Sequence, residues 1–141
     1  MSVLALLIDT DVLIDLLTKR SPFAKNAGTI LRICENNKAR GFIAAHSITN
    51  IFYLMRKDYS VAKRKELLRN LLETLSVVEI NASLINNILL NNDFDDIEDC
   101  LQAECARVIN ADYIVTRNIK DYSLSAVPAI LPEDLLKLTK K

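Results

Sequence analysis

Apolar positions along this chain alternate between unbroken runs and helical spacing. Val3 to Ile8 is a continuous apolar run, the pattern of a strand buried on both faces of a parallel sheet, and it ends at Asp9. Residues 10–18 then carry Val12, Leu13, Leu16 and Leu17 at helical spacing, and Ser21-Pro22 opens a second helix that reaches about Asn36. Gly41 to Ala45 reads as a second strand, followed by a helix with Ser47 as its N-cap and Ile51, Leu54 and Met55 on one side. A helix over 61–75 carries a stripe of Leu67, Leu68, Leu71, Leu72 and Leu75, and Ser76 to Ile80 reads as the third strand. Asn81 to Leu90 and residues 96–109 are predicted helices, Ala111 to Thr116 a fourth strand and Ala129 to Leu131 a short fifth. Pro132 begins a last helix, with Lys137, Lys140 and Lys141 at a frayed end. Strands alternate with helices throughout, so a parallel α/β sandwich is expected, with residues 1–141 as a single domain.

Composition narrows the chemistry. A chain of 141 residues, 50% hydrophobic and with 18 basic against 18 acidic side chains, builds a core without staples and is too apolar to be disordered. Cys34, Cys100 and Cys105 are odd in number and form no C-x-x-C pair, which argues against a disulfide framework or zinc knuckle and for a reducing, cytoplasmic setting. Asp9, Asp11 and Asp15 interrupt the apolar segment 3–17, so it reads as a strand entering a helix rather than a signal sequence, and no membrane span is expected. Gly28 and Gly41 are the only glycines, which removes dinucleotide and P-loop cradles. His46 is the only histidine, which makes a Ser-His-Asp or Cys-His site a poor reading and leaves His46 a structural one. Carboxylates must carry the chemistry.

Functional crevices of open parallel sheets lie at the carboxyl ends of the strands. Asp9 and Asp11 follow the first strand, and Asn118 with Asp121 follow the strand ending at Thr116. Asp96 and Asp99 stand one turn apart at a helix N-terminus, within a stretch holding five acids in seven residues, Asp93 to Asp99. Taken singly, each segment reads equally as a cap or as complement to a helix dipole. Recurring at one sheet edge, they suggest a site for a hard cation such as Mg²⁺, because unpaired carboxylates repel unless a cation or proton intervenes.

The opening VLALLIDTDVLIDLL, with Asp9, Thr10 and Asp11, resembles the start of PIN domains, an apolar strand followed by Asp-Thr-Asn/Asp-Val-Leu. IVTRNIKDY, Ile114 to Tyr122, resembles the family's T-x-N/D-x-x-D-F/Y ending, and IEDCLQAECA, Ile97 to Ala106, resembles the helix that carries its central Asp, here Asp99. The resemblance implies a PIN-like three-layer α/β/α sandwich with a central parallel sheet of four to five strands. It also implies a VapC-like ribonuclease, the toxin of a toxin–antitoxin pair, in which acids bind Mg²⁺ or Mn²⁺ to activate water for hydrolysis of RNA. Asp9 and Asp99 are then the expected metal ligands, with Asp96 a supporting acid, Asn118 the fourth polar position, and Thr116 and Asp121 shaping the substrate loop. A cognate antitoxin, an RNA substrate (tRNA, rRNA or mRNA) and a homodimer are the expected partners.

The sequence departs from the family pattern S/T-x-x-E, offering Ser47-x-x-Asn50, so Asn50 stands where an acid is usual, and Asn118 is neutral as well. These amides orient water or phosphate without adding charge. Asp11 is a substitute acid, as is Asp96. Arg117 is a candidate phosphate contact, and six bases over 56–69 form either an RNA guide or a solvated helix face. Phe52, Tyr53 and Leu54 are expected in the core or a dimer face, Cys100 and Cys105 in the core, and Tyr122 against the loop. Two other classes compete with the nuclease. One is a degenerate PIN-like module that binds RNA or a protein without cleaving. The other, a receiver-type switch, is disfavoured because the third strand ends in Glu79-Ile80-Asn81 with no phosphoacceptor Asp.

Overall fold

Each strand predicted from an apolar run is present in the computed structural model, which describes residues 3–139. The strands are β1 (Leu4–Ile8), β2 (Ala39–Ala44), β3 (Ser76–Val78), β4 (Tyr113–Val115) and β5 (Ala129–Ile130). They form one parallel sheet in the order β3-β2-β1-β4-β5, with Leu7 opposite Phe42 and Ile8 opposite Val115. The helices are α1 (Thr10–Leu17), α2 (Phe23–Glu35), α3 (Ala45–Leu54), α4 (Val61–Leu71), α5 (Ala82–Leu90), α6 (Ile97–Val108) and α7 (Pro132–Thr139), with a 3-10 turn at Ile119–Tyr122.

Side-chain alternation along the strands divides the core into two layers. Leu6, Ile8, Ile43 and Val115 pack against α1 to α4 and α7, whereas Leu7, Ala44, Val78 and Ile114 pack against α5, α6, Tyr122 and Val127. β1 is buried on both faces because it lies at the centre, which is why its sequence is unbroken apolar rather than alternating. The result is the three-layer α/β/α sandwich expected from the sequence.

Some local readings need correction. Ser47 is no N-cap: α3 begins at Ala45 directly from the end of β2, and Ser47 lies inside the helix, buried, with its hydroxyl on Thr10 and Gln102. Tyr53 and Leu54 are exposed, which takes them out of the core and leaves the dimer-face alternative, while Ile51 and Met55 are buried as expected. Arg56 covers the Tyr53 ring at 3.9 Å, and Arg64 covers the half-buried Phe52 at 4.2 Å. α4 ends at Leu71, with Leu72 exposed and Leu75 buried by the turn that follows. Lys137 is helical, and Lys140 and Lys141 lie outside the described residues.

Cys34, Cys100 and Cys105 are free and buried, and burial pushes the thiols of Cys34 and Cys105 up to about 11, which keeps them inert. Gly41 is required by close approach: a Cβ there would stand 2.5 Å from Leu75 Cδ2 and 2.8 Å from Cys34 Sγ, both buried. Gly41→Ala is therefore expected to cost about 1–3 kcal/mol through overpacking. Urea unfolding tests this, and an unchanged midpoint would show that Leu75 and Cys34 yield freely.

Candidate active site

The chain leaves β1, builds β2 and β3 on one side, and returns to place β4 on the other, so the sheet order reverses between β1 and β4. The carboxyl ends of these two strands therefore open onto a crevice. Asp9 follows β1 immediately, and its backbone N–H donates to Val115 O at 2.9 Å, which ties it to the end of β4.

Asp9 is 9% exposed and held on both oxygens. Oδ1 accepts from Thr10 N at 2.8 Å and Gln102 Nε2 at 3.1 Å, and Oδ2 accepts from Thr116 Oγ1 and Tyr122 Oη, both at 2.9 Å. Hydrogen bonds to a carboxylate favour ionisation, yet burial outweighs them here and raises the pKa of Asp9. Asp11 accepts on Oδ2 from Arg117 N at 3.0 Å and Asn118 Nδ2 at 3.1 Å, while its buried Oδ1 has no partner. Burial first, and the charge of Asp9 second, push Asp11 up to about 6. Asp99 reaches about 6 as well, through burial and then the charges of Asp96, Asp121, Asp9 and Glu98.

Asp9, Thr10, Asp11, Asp99, Arg117 and Asn118 line one cleft of about 290 Å³ together with Arg20, His46, Glu98 and Gln102. Other residues expected at the site are placed differently. Asp96 caps α6, with Oδ1 accepting from Asp99 N at 3.0 Å, and it faces a neighbouring acidic groove with Asp121. Thr116 lies wholly buried beneath Asp9, out of reach of a substrate. Arg117 forks onto Asp15, Nε to Oδ2 at 2.6 Å and Nη2 to Oδ1 at 3.2 Å, and stacks on Phe23 at 4.0 Å, so its guanidinium is already engaged. Asn50 is outside the cleft lining and donates to Glu98 Oε2 at 3.0 Å.

Sequence reasoning gave no role in the site to Gln102, Ser47 or Glu98 and missed the polar role of Tyr122. Gln102 is one helical turn beyond Asp99, so an acid and a buried amide on one face of α6 was the available signal. Its Nε2 also donates to Ser47 Oγ at 2.8 Å, binding α6 to α3 and β1 beneath the cleft. His46 lines the cleft with Nδ1 buried and unpartnered, and burial lowers its pKa.

The residues fit a hard cation. Asp11 Oδ1 and Gln102 Oε1 are buried without donors, Asp9, Asp11 and Asp99 are all pushed up by burial, the last two also by neighbouring carboxylates, and the available ligand atoms are oxygens. Among the described residues, no three of His, Cys, Asp and Glu enclose an ion by themselves. Mg²⁺ does not require that, since it binds through one or two carboxylates and completes its shell with water and substrate phosphate.

Titration of the metal-free protein follows from these shifts. Asp11 and Asp99 fold with pKa about 6 against an ordinary 3.8, so their protonation favours folding. That contribution is complete below about pH 4 and is lost as pH rises through about 6. In EDTA the wild type is expected to lose stability relative to Asp11→Asn as pH rises from about 4 to about 7, a comparison that cancels the opposite trend of His46, whose pKa burial lowers. A difference between the two proteins that stays constant over that interval would contradict the burial of Asp11.

A sequence profile described as PIN domain matches residues 5–120, from β1 to the start of the 3-10 turn. No curated protein matches the sequence. The fold is similar to VapBC2 from Rickettsia felis, solved bound to a DNA fragment from its promoter, with TM-score 0.66 and 17% identity over 91% of this chain and 98% of that one. It is similar to a toxin-antitoxin complex from Klebsiella pneumoniae, with TM-score 0.66 and 21% identity over 89% and 96% of the two chains. FitAB, solved bound to a DNA fragment, shares the fold with TM-score 0.61 and 15% identity over 90% and 94%. At these identities the likeness is one of fold, and it is the profile, matched over most of the chain and across every segment that reaches the cleft, that shows this chain to belong to the PIN domain family.

Proposed function

We propose that this protein is a metal-dependent endoribonuclease and the toxin component of a toxin–antitoxin pair, acting in the cytoplasm as a single domain. The observation that carries the reading is the meeting of Asp9, Asp11 and Asp99, from distant segments of the chain, in one crevice where burial raises all three pKa values and neighbouring carboxylates add to the rise of Asp11 and Asp99. Membership of the PIN domain family supports a nuclease, and a structural neighbour solved as a toxin–antitoxin complex supports an antitoxin partner. Among the described residues no helix is long and apolar enough to cross a membrane.

Asp9 and Asp99 are the residues to hold Mg²⁺ or Mn²⁺, with Asp11 and the capping Asp96 adding negative charge. When bound, the ion supplies an acidified water and neutralises charge gathering on the phosphate oxygens. Thr10, Thr116, Tyr122 and Gln102 fix the orientation of Asp9 in advance, so no reorganisation is needed during reaction. Asn118 does the same for Asp11. Arg20 lines the cleft, is exposed and has no carboxylate partner among the described residues, which makes it the guanidinium for phosphate in place of Arg117. Exposed Lys65 and Arg69 on α4 support a polyanionic partner, RNA, drawn from tRNA, rRNA or mRNA.

A second reading is favoured by one observation: Asn50 brings no charge and does not line the cleft. On that reading the fold binds RNA or a protein without cleaving it. Incubation of purified protein with a pool of tRNA and rRNA in EDTA, Mg²⁺ or Mn²⁺ separates the two. Metal-dependent cutting is the expected result, and a folded protein that cuts under none of these conditions would favour the binding module.

A further inference from the structure

Position 50 carries an amide where the family pattern has an acid, and the structure gives that amide a particular partner. Asn50, on α3, donates through Nδ2 to Glu98 Oε2 at 3.0 Å, across 48 residues of sequence. Glu98 stands in the first turn of α6 beside Asp99 and lines the cleft that holds Asp9 and Asp99. Its charge reaches both walls, contributing to the raised pKa of Asp99 and opposing the lowering of His46. Gln102, which lines the same cleft and is only 2% exposed, keeps a buried Oε1 that no protein donor satisfies. A carboxylate fixed by a neutral amide close to other acids is unfavourable unless a cation shares the space.

We propose that Glu98 supplies a further acid of the cation site beside Asp9, Asp11 and Asp99, standing in for the acid absent at position 50, and that Asn50 is its positioning residue. The inference rests on the metal-dependent reading above. Because no three acids enclose an ion directly, Glu98 acts as a charge on the cleft wall and through intervening water, the geometry in which outer partners tune metal affinity. The contact also explains why α3, which brings no acid of its own, still contributes to the site: it orients one that α6 carries.

Mn²⁺ binding to the purified protein without RNA, read from the electron paramagnetic resonance of the free ion, tests this. Glu98→Gln is expected to weaken binding about tenfold while leaving the melting curve of this exposed position unchanged. Asn50→Glu combined with Glu98→Gln returns the acid to the other side of the same contact and is expected to recover binding to within about threefold of the wild type. Unchanged affinity in Glu98→Gln, or a double variant that binds no better than Glu98→Gln alone, would overturn the proposal. Asp99→Asn is the control for the underlying reading: if it binds Mn²⁺ as tightly as the wild type, the metal site itself is misassigned, whatever Glu98 does.

Discussion

Replacing Asp9 or Asp99 by asparagine is expected to lower metal-dependent RNA cleavage about a thousandfold while the fold survives. A cation at the reacting phosphate is worth several kcal/mol of transition-state stabilisation, and about 4 kcal/mol corresponds to three orders of magnitude in rate. Asparagine keeps the shape of Asp9 and most of its bonding. Its oxygen can accept from Thr10 N and Gln102 Nε2, and its amide can donate to the hydroxyls of Thr116 and Tyr122, which accept as readily as they donate. Stability at neutral pH should rise in both variants, because each loses a charge that burial disfavours. The check is cleavage and thermal melting measured on the same preparations. Full cleavage by both variants would remove these residues from the site, and loss of folding would make them structural.

Arg117→Ala is expected to have the largest effect on stability, about 3–5 kcal/mol. Asp15, which Arg117 meets through two nitrogens, is 1% exposed, so truncation strands a buried carboxylate without its counter-charge. The stacking of the guanidinium on Phe23 is lost as well. Adding Asp15→Leu to Arg117→Ala should recover much of the loss, since an apolar side chain removes the stranded charge. Urea denaturation of the three proteins tests the assignment, and a loss under about 1 kcal/mol in Arg117→Ala would show that the pair behaves as a solvated surface contact. The sequence placed Arg117 beside Asn118 and suggested a phosphate contact, which would have changed RNA affinity and left stability alone. Its partner in the structure lies 102 residues away and reverses that expectation.

Secondary structure was legible because its signals are local. The apolar run of β1, the helical spacing that follows Asp9 and the acidic start of α6 each depend on neighbours a few residues apart, and observed boundaries differ from expectation by only a few residues. The case of Ser47 shows the limit. A serine just after a strand has the local signature of an N-cap, but here its hydroxyl is taken by Gln102, 55 residues away, and the helix starts two residues earlier without a side-chain cap. Asn50 has the same lesson in reverse: read alone it is a missing acid, and beside Glu98 it is a hydrogen-bond donor to one.

From the sequence alone came the alternation of strands and helices, the family and three acids, Asp9, Asp11 and Asp99, that line the cleft, because periodicity and short motifs are written in consecutive residues. Only the tertiary structure decided that β1 is central with β4 beside it, that Tyr122 and Thr116 both reach Asp9, that Arg117 belongs to Asp15, and that Asp96 and Asp121 face an adjoining groove that shares Asp99 with the cleft. Those outcomes depend on which strands become neighbours and where the sheet order reverses. Contacts across 100 residues are set by the packing of whole elements, and no local pattern encodes them.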